Sequence, residues 1–212
     1  MTSAGHPFEN LPARVSTPAN KVIEFRGPAD ITKESTEAIV NAANSSLMGG
    51  GGVDGAIHRC GGPALLDECK QYVSSHGPLP AGQAMITSGG RLSAKYVIHT
   101  VGPIYRDGSG KEKELLASCH RECIRIADET RIRSVSFPAI STGAYGYPLY
   151  EAAEVALTSV LDALEAAAHV EKVVFVLFDA AAVKAFRRVA GKLVQSRPGL
   201  RMDLAQSPER IA

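Results

Sequence analysis

The chain has 212 residues, 45% of them apolar, with a formal net charge of +1 at neutral pH. That size and composition suit one globular domain with a sizeable core, and the near-zero charge leaves no electrostatic footprint for nucleic acid or an anionic membrane. No charged and apolar leader pattern and no apolar run of bilayer length occur, so a soluble cytoplasmic protein is expected.

Taken in order, 1–20 hold much of the proline and little periodicity, and predict a mobile or loosely docked extension. Val22 to Phe25 reads as a strand, and Glu37 to Ala43 as a second. Helical character runs from Val53 to about Val73, with a break at Gly61-Gly62-Pro63. Gln83 to Thr87 and Lys95 to Val101 read as strands, Glu112 to about Thr130 as an amphipathic helix, and Ser134 to Ile140 as a buried strand. Leu157, Val160, Leu161 and Leu164 follow the spacing of a core-facing helix. Val173 to Phe178 is a strand and Ala180 to about Val194 a final helix, leaving 195–212 as a tail. Alternating strands and helices predict an α/β protein, a three-layer α/β/α sandwich around a mixed sheet. The four cysteines form no C-x-x-C pair and are expected as free thiols; Cys119 and Cys123, one turn apart beside Leu116 and Ile126, read as core.

Four consecutive glycines, Gly49 to Gly52, interrupt this pattern. Glycine is the costliest residue to order, so the run is either a slack linker or a loop whose backbone must approach something closely. A second small-residue loop, Ser141 to Pro148 (STGAYGYP), also follows a buried strand and precedes a helix. In an open α/β sheet ligands bind beyond the carboxyl ends of the strands, and N–H groups at helix starts cradle anions. Together the loops point to a bound phosphate or diphosphate. A P-loop is excluded, because no G-x-x-x-x-G-K-[ST] occurs. Gly50 to Gly55 matches G-x-G-x-x-G by letter, but Asn44 to Met48 intervene between the strand and the glycines, which a dinucleotide turn does not allow.

Among the side chains, Asn41 reads as a structural tie for the loop, and Asn44 is better placed to grip a ligand hydroxyl. Asp54 is either the N-cap of a helix beginning near Gly55 or a functional carboxylate, since an anion site repels it. His58, four residues on, shares its helical face and either supports it in directing a water or is structural. Tyr145 covers a sugar or is a plain surface aromatic.

The segments DIT (Asp30 to Thr32), AIVNAANSSLMGGGGVDGAIH (Ala38 to His58), KYVIHTVGP (Lys95 to Pro103) and FPAISTGAYGYP (Phe137 to Pro148) resemble a macrodomain of the MacroD type. The resemblance implies the macrodomain fold over 21–194, binding ADP-ribose in a cleft. It implies that Asp30 accepts from the adenine amino group with Ile31 alongside, and that Phe178 stacks on adenine. Gly49, Gly50, Gly51, Gly52 and Val53 would face Ser141, Thr142, Gly143, Ala144, Tyr145 and Gly146 across the diphosphate. Asn44 and Asp54 would meet the distal ribose, under Tyr145. Ala29 stands where the family usually has a glycine. The first loop lacks the cysteine and histidine of zinc-binding relatives, so neither metal nor cofactor is expected. The implied activities are removal of mono-ADP-ribose from Glu and Asp side chains and deacetylation of O-acetyl-ADP-ribose. Asp54, as base or as orienter, would direct a water, with Asn44 and His58 in the catalytic group. A non-catalytic ADP-ribose reader and an ADP-ribose 1″-phosphate phosphatase are the alternatives. Expected partners are ADP-ribose, its O-acetyl ester and ADP-ribosylated proteins, with no membrane or nucleic acid, and the protein is expected to be a monomer.

Overall fold

A computed structural model of the chain describes residues 13–108 and 110–204. Eight strands form one sheet: β1 (Ala13–Ser16), β2 (Val22–Arg26), β3 (Ala38–Ala43), β4 (Ala84–Ser88), β5 (Tyr96–Val101), β6 (Ser134–Phe137), β7 (Lys172–Val176) and β8 (Arg201–Leu204). Five helices connect them: α1 (Gly52–Gly61), α2 (Pro63–His76), α3 (Gly110–Glu129), α4 (Leu149–Ala166) and α5 (Ala180–Ser196). The spatial order is β4-β5-β3-β6-β7-β2-β1-β8. Strands β5, β3, β6, β7 and β2 run parallel, while β4, β1 and β8 are antiparallel to their neighbours, so the sheet is mixed.

The layers follow from residue alternation along the strands. On β3, Ala38 and Val40 join the core under α3, α4 and α5, whereas Ile39 and Ala43 join the smaller core under α1 and α2. Leu116, Cys119, Cys123 and Ile126 of α3 are all buried in the larger core, which makes the two cysteines core thiols. The helical run after the first loop is two helices. It breaks at Gly62, whose φ of 82° favours glycine, and restarts with Pro63 at a first-turn position where no N–H is needed.

Two strands end earlier than the sequence predicts. β6 stops at Phe137 because Pro138 has no N–H for the ladder. β7 stops at Val176, which leaves Phe178 beyond the strand rather than at its end. Two strands form where no element is expected: β1 within the N-terminal extension and β8 within the C-terminal tail. They pair with one another and β1 pairs with β2, with Val15 and Leu200 buried, so these segments complete the sheet edge. The expected looseness of 1–12 and 205–212 lies outside the described residues.

Candidate active site

The five parallel strands present their carboxyl ends along one edge. Read along that edge, the loops following β5, β3, β6, β7 and β2 lie in sequence. The two glycine loops follow β3 and β6, which are neighbours. Asp30 and Phe178 follow β2 and β7, a second neighbouring pair, on the far side of β6. The topology therefore brings the loops that carry the predicted residues to one edge of the sheet.

In the first loop Asn44 is the organiser. Its Oδ1 accepts from the Ser46 N–H and hydroxyl, and its Nδ2 donates to the Gly49 carbonyl at 2.9 Å. Asn44, rather than Asn41, thus ties the loop. A Cβ on Gly50 would lie 3.1 Å from Asp54 Oδ2 and 3.3 Å from Asn44 Nδ2, close enough that one of these side chains would have to give way. A Cβ on Gly51 would meet nothing of the protein, so its bare backbone faces open space. Gly49 packs against the His58 ring, and Gly52 opens α1 with a φ of +57°. The N–H groups of Gly49 to Asp54 donate to no acceptor among the described residues. Gly51 is the N-cap of α1 and supplies no side chain, so the positive helix end is uncapped. A slack linker would not be tied in this way.

Asp54 is not an N-cap. It lies inside the first turn of α1 and is 4% exposed. Its Oδ1 accepts from Asn41 Nδ2 at 2.7 Å, and Asn44 Nδ2 lies 3.4 Å from Oδ2. His58 Nε2 sits 3.4 Å from Oδ1 without hydrogen-bond alignment, and both ring nitrogens are buried with no partner. Burial raises the Asp54 pKa above the ordinary carboxylate value, opposed by the Asn41 hydrogen bond and by His58. Asn41 also reaches His99 Nδ1 at 3.1 Å, and His99 Nε2 is 3.0 Å from Thr87 Oγ1.

His58, Cys69 and His99 each bring a donor atom within 4.8 Å of the others. Two imidazoles and a thiol suit a borderline-soft ion by type. The bonding network opposes that use. Asn41 must turn Nδ2 towards the Asp54 carboxylate, so it also donates to His99 Nδ1, and the imidazole proton belongs on Nε2. While that bond stands, His99 offers no lone pair to a shared ion.

The second loop is held by its own backbone. Gly146 N–H donates to the Gly143 carbonyl, Tyr147 N–H to that of Ser141, and Thr142 Oγ1 to that of Ala139. Ser141 takes a left-handed conformation, φ 66°, unusual for a residue with a side chain, and its buried hydroxyl has no partner. It fits only because Gly102 lies beside it, where a Cβ would fall 2.1 Å from Ser141 Oγ. Gly143, Ala144 and Tyr145 donate their N–H groups to no acceptor among the described residues, and Gly143 has open space where a Cβ would point. Tyr145 is half-buried, and its carbonyl takes the Tyr105 N–H at 2.8 Å, tying this loop to the segment after β5. Two runs of uncommitted N–H groups, in the loops that follow adjacent strands, can hold an anion without any lysine or arginine in either loop.

At the other end of the edge, Asp30 caps the short 3-10 turn Ile31–Lys33, its Oδ1 accepting from the Thr32 N–H and hydroxyl at 2.9 and 2.8 Å. Both bonds use Oδ1, so Oδ2 keeps its acceptor capacity. Ile31 is buried, and Phe178 is 84% exposed, an aromatic face with little protein against it. The sequence reading missed His99 and Thr87. Their one signal is a histidine inside the apolar run KYVIHTV, where a titratable group needs a partner.

Residues 40–156 match the family model described as Macro domain. The chain is 54% identical over 160 residues to the O-acetyl-ADP-ribose deacetylase of Salmonella typhimurium (strain LT2), covering 76% of this chain and 89% of that protein. Among solved structures it resembles the Oceanobacillus iheyensis macrodomain with ADP, with TM-score 0.81 and 40% identity, covering 87% of this chain and 98% of that one. It also resembles the Trypanosoma brucei macrodomain in complex with ADP-ribose, with TM-score 0.69 and 38% identity, covering 78% of this chain and 68% of that one.

Proposed function

The chain belongs to the macro domain family, and on that premise we propose that it is a hydrolase of ADP-ribosyl esters. Its substrates in this reading are O-acetyl-ADP-ribose and mono-ADP-ribose carried on Glu or Asp side chains. The observation that carries the proposal is Asp54: a carboxylate 4% exposed, beside the uncapped N–H groups of α1, fixed through Oδ1 and raised in pKa by burial. An anion-binding loop that only recognises its ligand has no use for a buried negative charge there, because it repels the ligand.

The diphosphate is held by the N–H groups of Gly49 to Asp54 and of Gly143 to Tyr145. Adenine lies between Asp30 and Phe178, and the distal ribose lies at Asn44, Asp54 and Tyr145. With the ester held still, a water attacks its carbonyl carbon and passes a proton to Asp54. The bond from the acyl carbon to the ribose oxygen breaks, the ribose oxygen takes the proton, and a carboxylic acid and ADP-ribose leave. Asp54 Oδ2 suits the proton transfer, since Oδ1 is occupied by Asn41. His58, with two unpartnered nitrogens, supports the charge on Asp54. The relative at 54% identity bearing a deacetylase name and the neighbours solved with ADP and ADP-ribose support the same reading.

The test compares wild type with Asp54→Ala on O-acetyl-ADP-ribose and on a glutamate-ADP-ribosylated protein, with calorimetry of ADP-ribose binding for both. The expected result is ester cleavage by wild type and a loss of at least about 100-fold in the variant with binding retained. Tight binding with no cleavage by wild type would make the protein a reader of ADP-ribose.

A further inference from the structure

Beneath the site, the layer under α1 and α2 is apolar except for one line of side chains. Ile39, Ala43, Val97 and Val101 are buried there as expected for a core face. Among them stand Asn41 on β3, His99 on β5 and Thr87 on β4, exposed by 0%, 0% and 3%. The parallel register sets Asn41 directly opposite His99, and the antiparallel register sets Met85 opposite His99 with Thr87 two residues along the same face. From this arrangement we infer that Asn41 and His99 are positioning residues for Asp54, Asn41 by holding the carboxylate and His99 by holding the Asn41 amide. The inference rests on the hydrolase reading, in which Asp54 meets the water.

The bonds of the line run with one polarity. Asn41 Nδ2 spends one hydrogen on Asp54 Oδ1 at 2.7 Å and the other on His99 Nδ1 at 3.1 Å. The His99 proton is therefore on Nε2 and donates to Thr87 Oγ1 at 3.0 Å, whose own proton goes to the Ser88 carbonyl. Burial holds the His99 pKa down to about 3, so the ring stays neutral and keeps this acceptor through the physiological range. If the amide turned over, Asn41 Oδ1 would face the Asp54 carboxylate, an acceptor against an acceptor. As it stands, Oδ1 is buried with no partner. An orphaned buried acceptor is costly, and packing alone would favour an apolar residue here as at Ile39. Asp54 is faced by His58 from its own helix, Asn44 from the loop, Asn41 from β3, and Cys69 of α2 and His99 of β5 behind them. Among these, Asn41 is the one short donor to the carboxylate.

The test uses Asn41→Ala, His99→Leu and His99→Asn. With Asn41→Ala, kcat should fall about 10- to 100-fold while KM and ADP-ribose affinity stay within about threefold. The acid limb of kcat/KM should move up by about one pH unit, because the lost bond favoured the charged carboxylate. His99→Leu should lose activity in the same way, and His99→Asn, which keeps an acceptor near the Nδ1 position, should recover most of it. Unchanged kcat with an unmoved acid limb in Asn41→Ala overturns the inference. Equal behaviour of the two His99 variants overturns it as well, and that comparison carries the test if Asn41→Ala does not fold. Titration of the Asp54 carboxyl by carbon NMR, assigned with Asp54→Asn, reads the positioning without turnover. If wild type cleaves neither ester, the hydrolase reading fails. An upward shift of that titration in Asn41→Ala, or in His99→Leu relative to His99→Asn, would still uphold the positioning of Asp54, and its absence would overturn it.

Discussion

At the scale of single residues, Asp54 concentrates the conflict between stability and chemistry. Its folded pKa is raised by burial, so the native state binds its proton more tightly than the unfolded chain. Below the ordinary carboxylate range the two states are protonated alike and there is no penalty. As pH rises from about 4 through the raised folded value, stability falls, and above that value the loss is constant. Asp54→Asn removes the charge at nearly constant shape. It should raise the melting temperature at pH 7.5 by about 2–4 °C, for a gain of about 1 kcal/mol. The gap should close as the pH approaches 4; calorimetric melts across pH 4–8 check this, and a variant less stable than wild type at pH 7.5 refutes it. Ser141 is a second residue in tension, with a left-handed backbone and a buried hydroxyl that has no partner, admitted by the bare Gly102.

Among the elements, α1 and the glycine loop act as one unit. A Cβ on Gly55 would lie 2.3 Å from the Gly50 carbonyl oxygen, a backbone atom that moves only if the loop moves. Gly55→Ala should therefore cost about 1–3 kcal/mol, despite the better helix propensity of alanine. It should weaken ADP-ribose binding by at least about tenfold, because Gly50 and its neighbours shift; thermal melts and calorimetry measure both. Retained stability with retained affinity would show that the contact has slack. Much of this unit was legible in the chain. Four glycines together, an aspartate two residues on and a histidine four beyond it mark a tied loop running into a helix. The cap reading of Asp54 fails because α1 already begins at Gly52, capped by Gly51, which has no side chain to mark a helix start in the sequence. Two strands are shorter than their apolar runs, because Pro138 and Leu177-Phe178 extend those runs beyond the last ladder bond.

For the whole molecule, the site and the sheet edge are separable. β8 stands four positions from β6 in the sheet order, with β7, β2 and β1 between them. Deleting the chain from Gly199 onward removes β8 and the buried Leu200 and leaves β1 as an open edge. That truncation should cost about 2–4 kcal/mol, a fall of roughly 5–10 °C, with ADP-ribose affinity within about twofold of the full chain. Loss of binding in a truncated chain that still melts cooperatively would show that the edge supports the site.

The amino-acid sequence alone determined the α/β alternation, the two glycine loops and the candidate residues in them. Each of these is a local matter: period, propensity, and the bare backbone that only glycine provides. β1 and β8 were not legible, because a four-residue strand with little periodicity exists only once a partner edge is present. Nor could the sequence connect Asn41 to His99, 58 positions apart; that pairing is a consequence of β3 lying beside β5 in register. It was the tertiary structure, too, that assigned Asn44 to the loop and Asn41 to the carboxylate. Which amide makes the short bond to Asp54 depends on how α1 lies across the sheet, a matter of packing between elements rather than of any one of them.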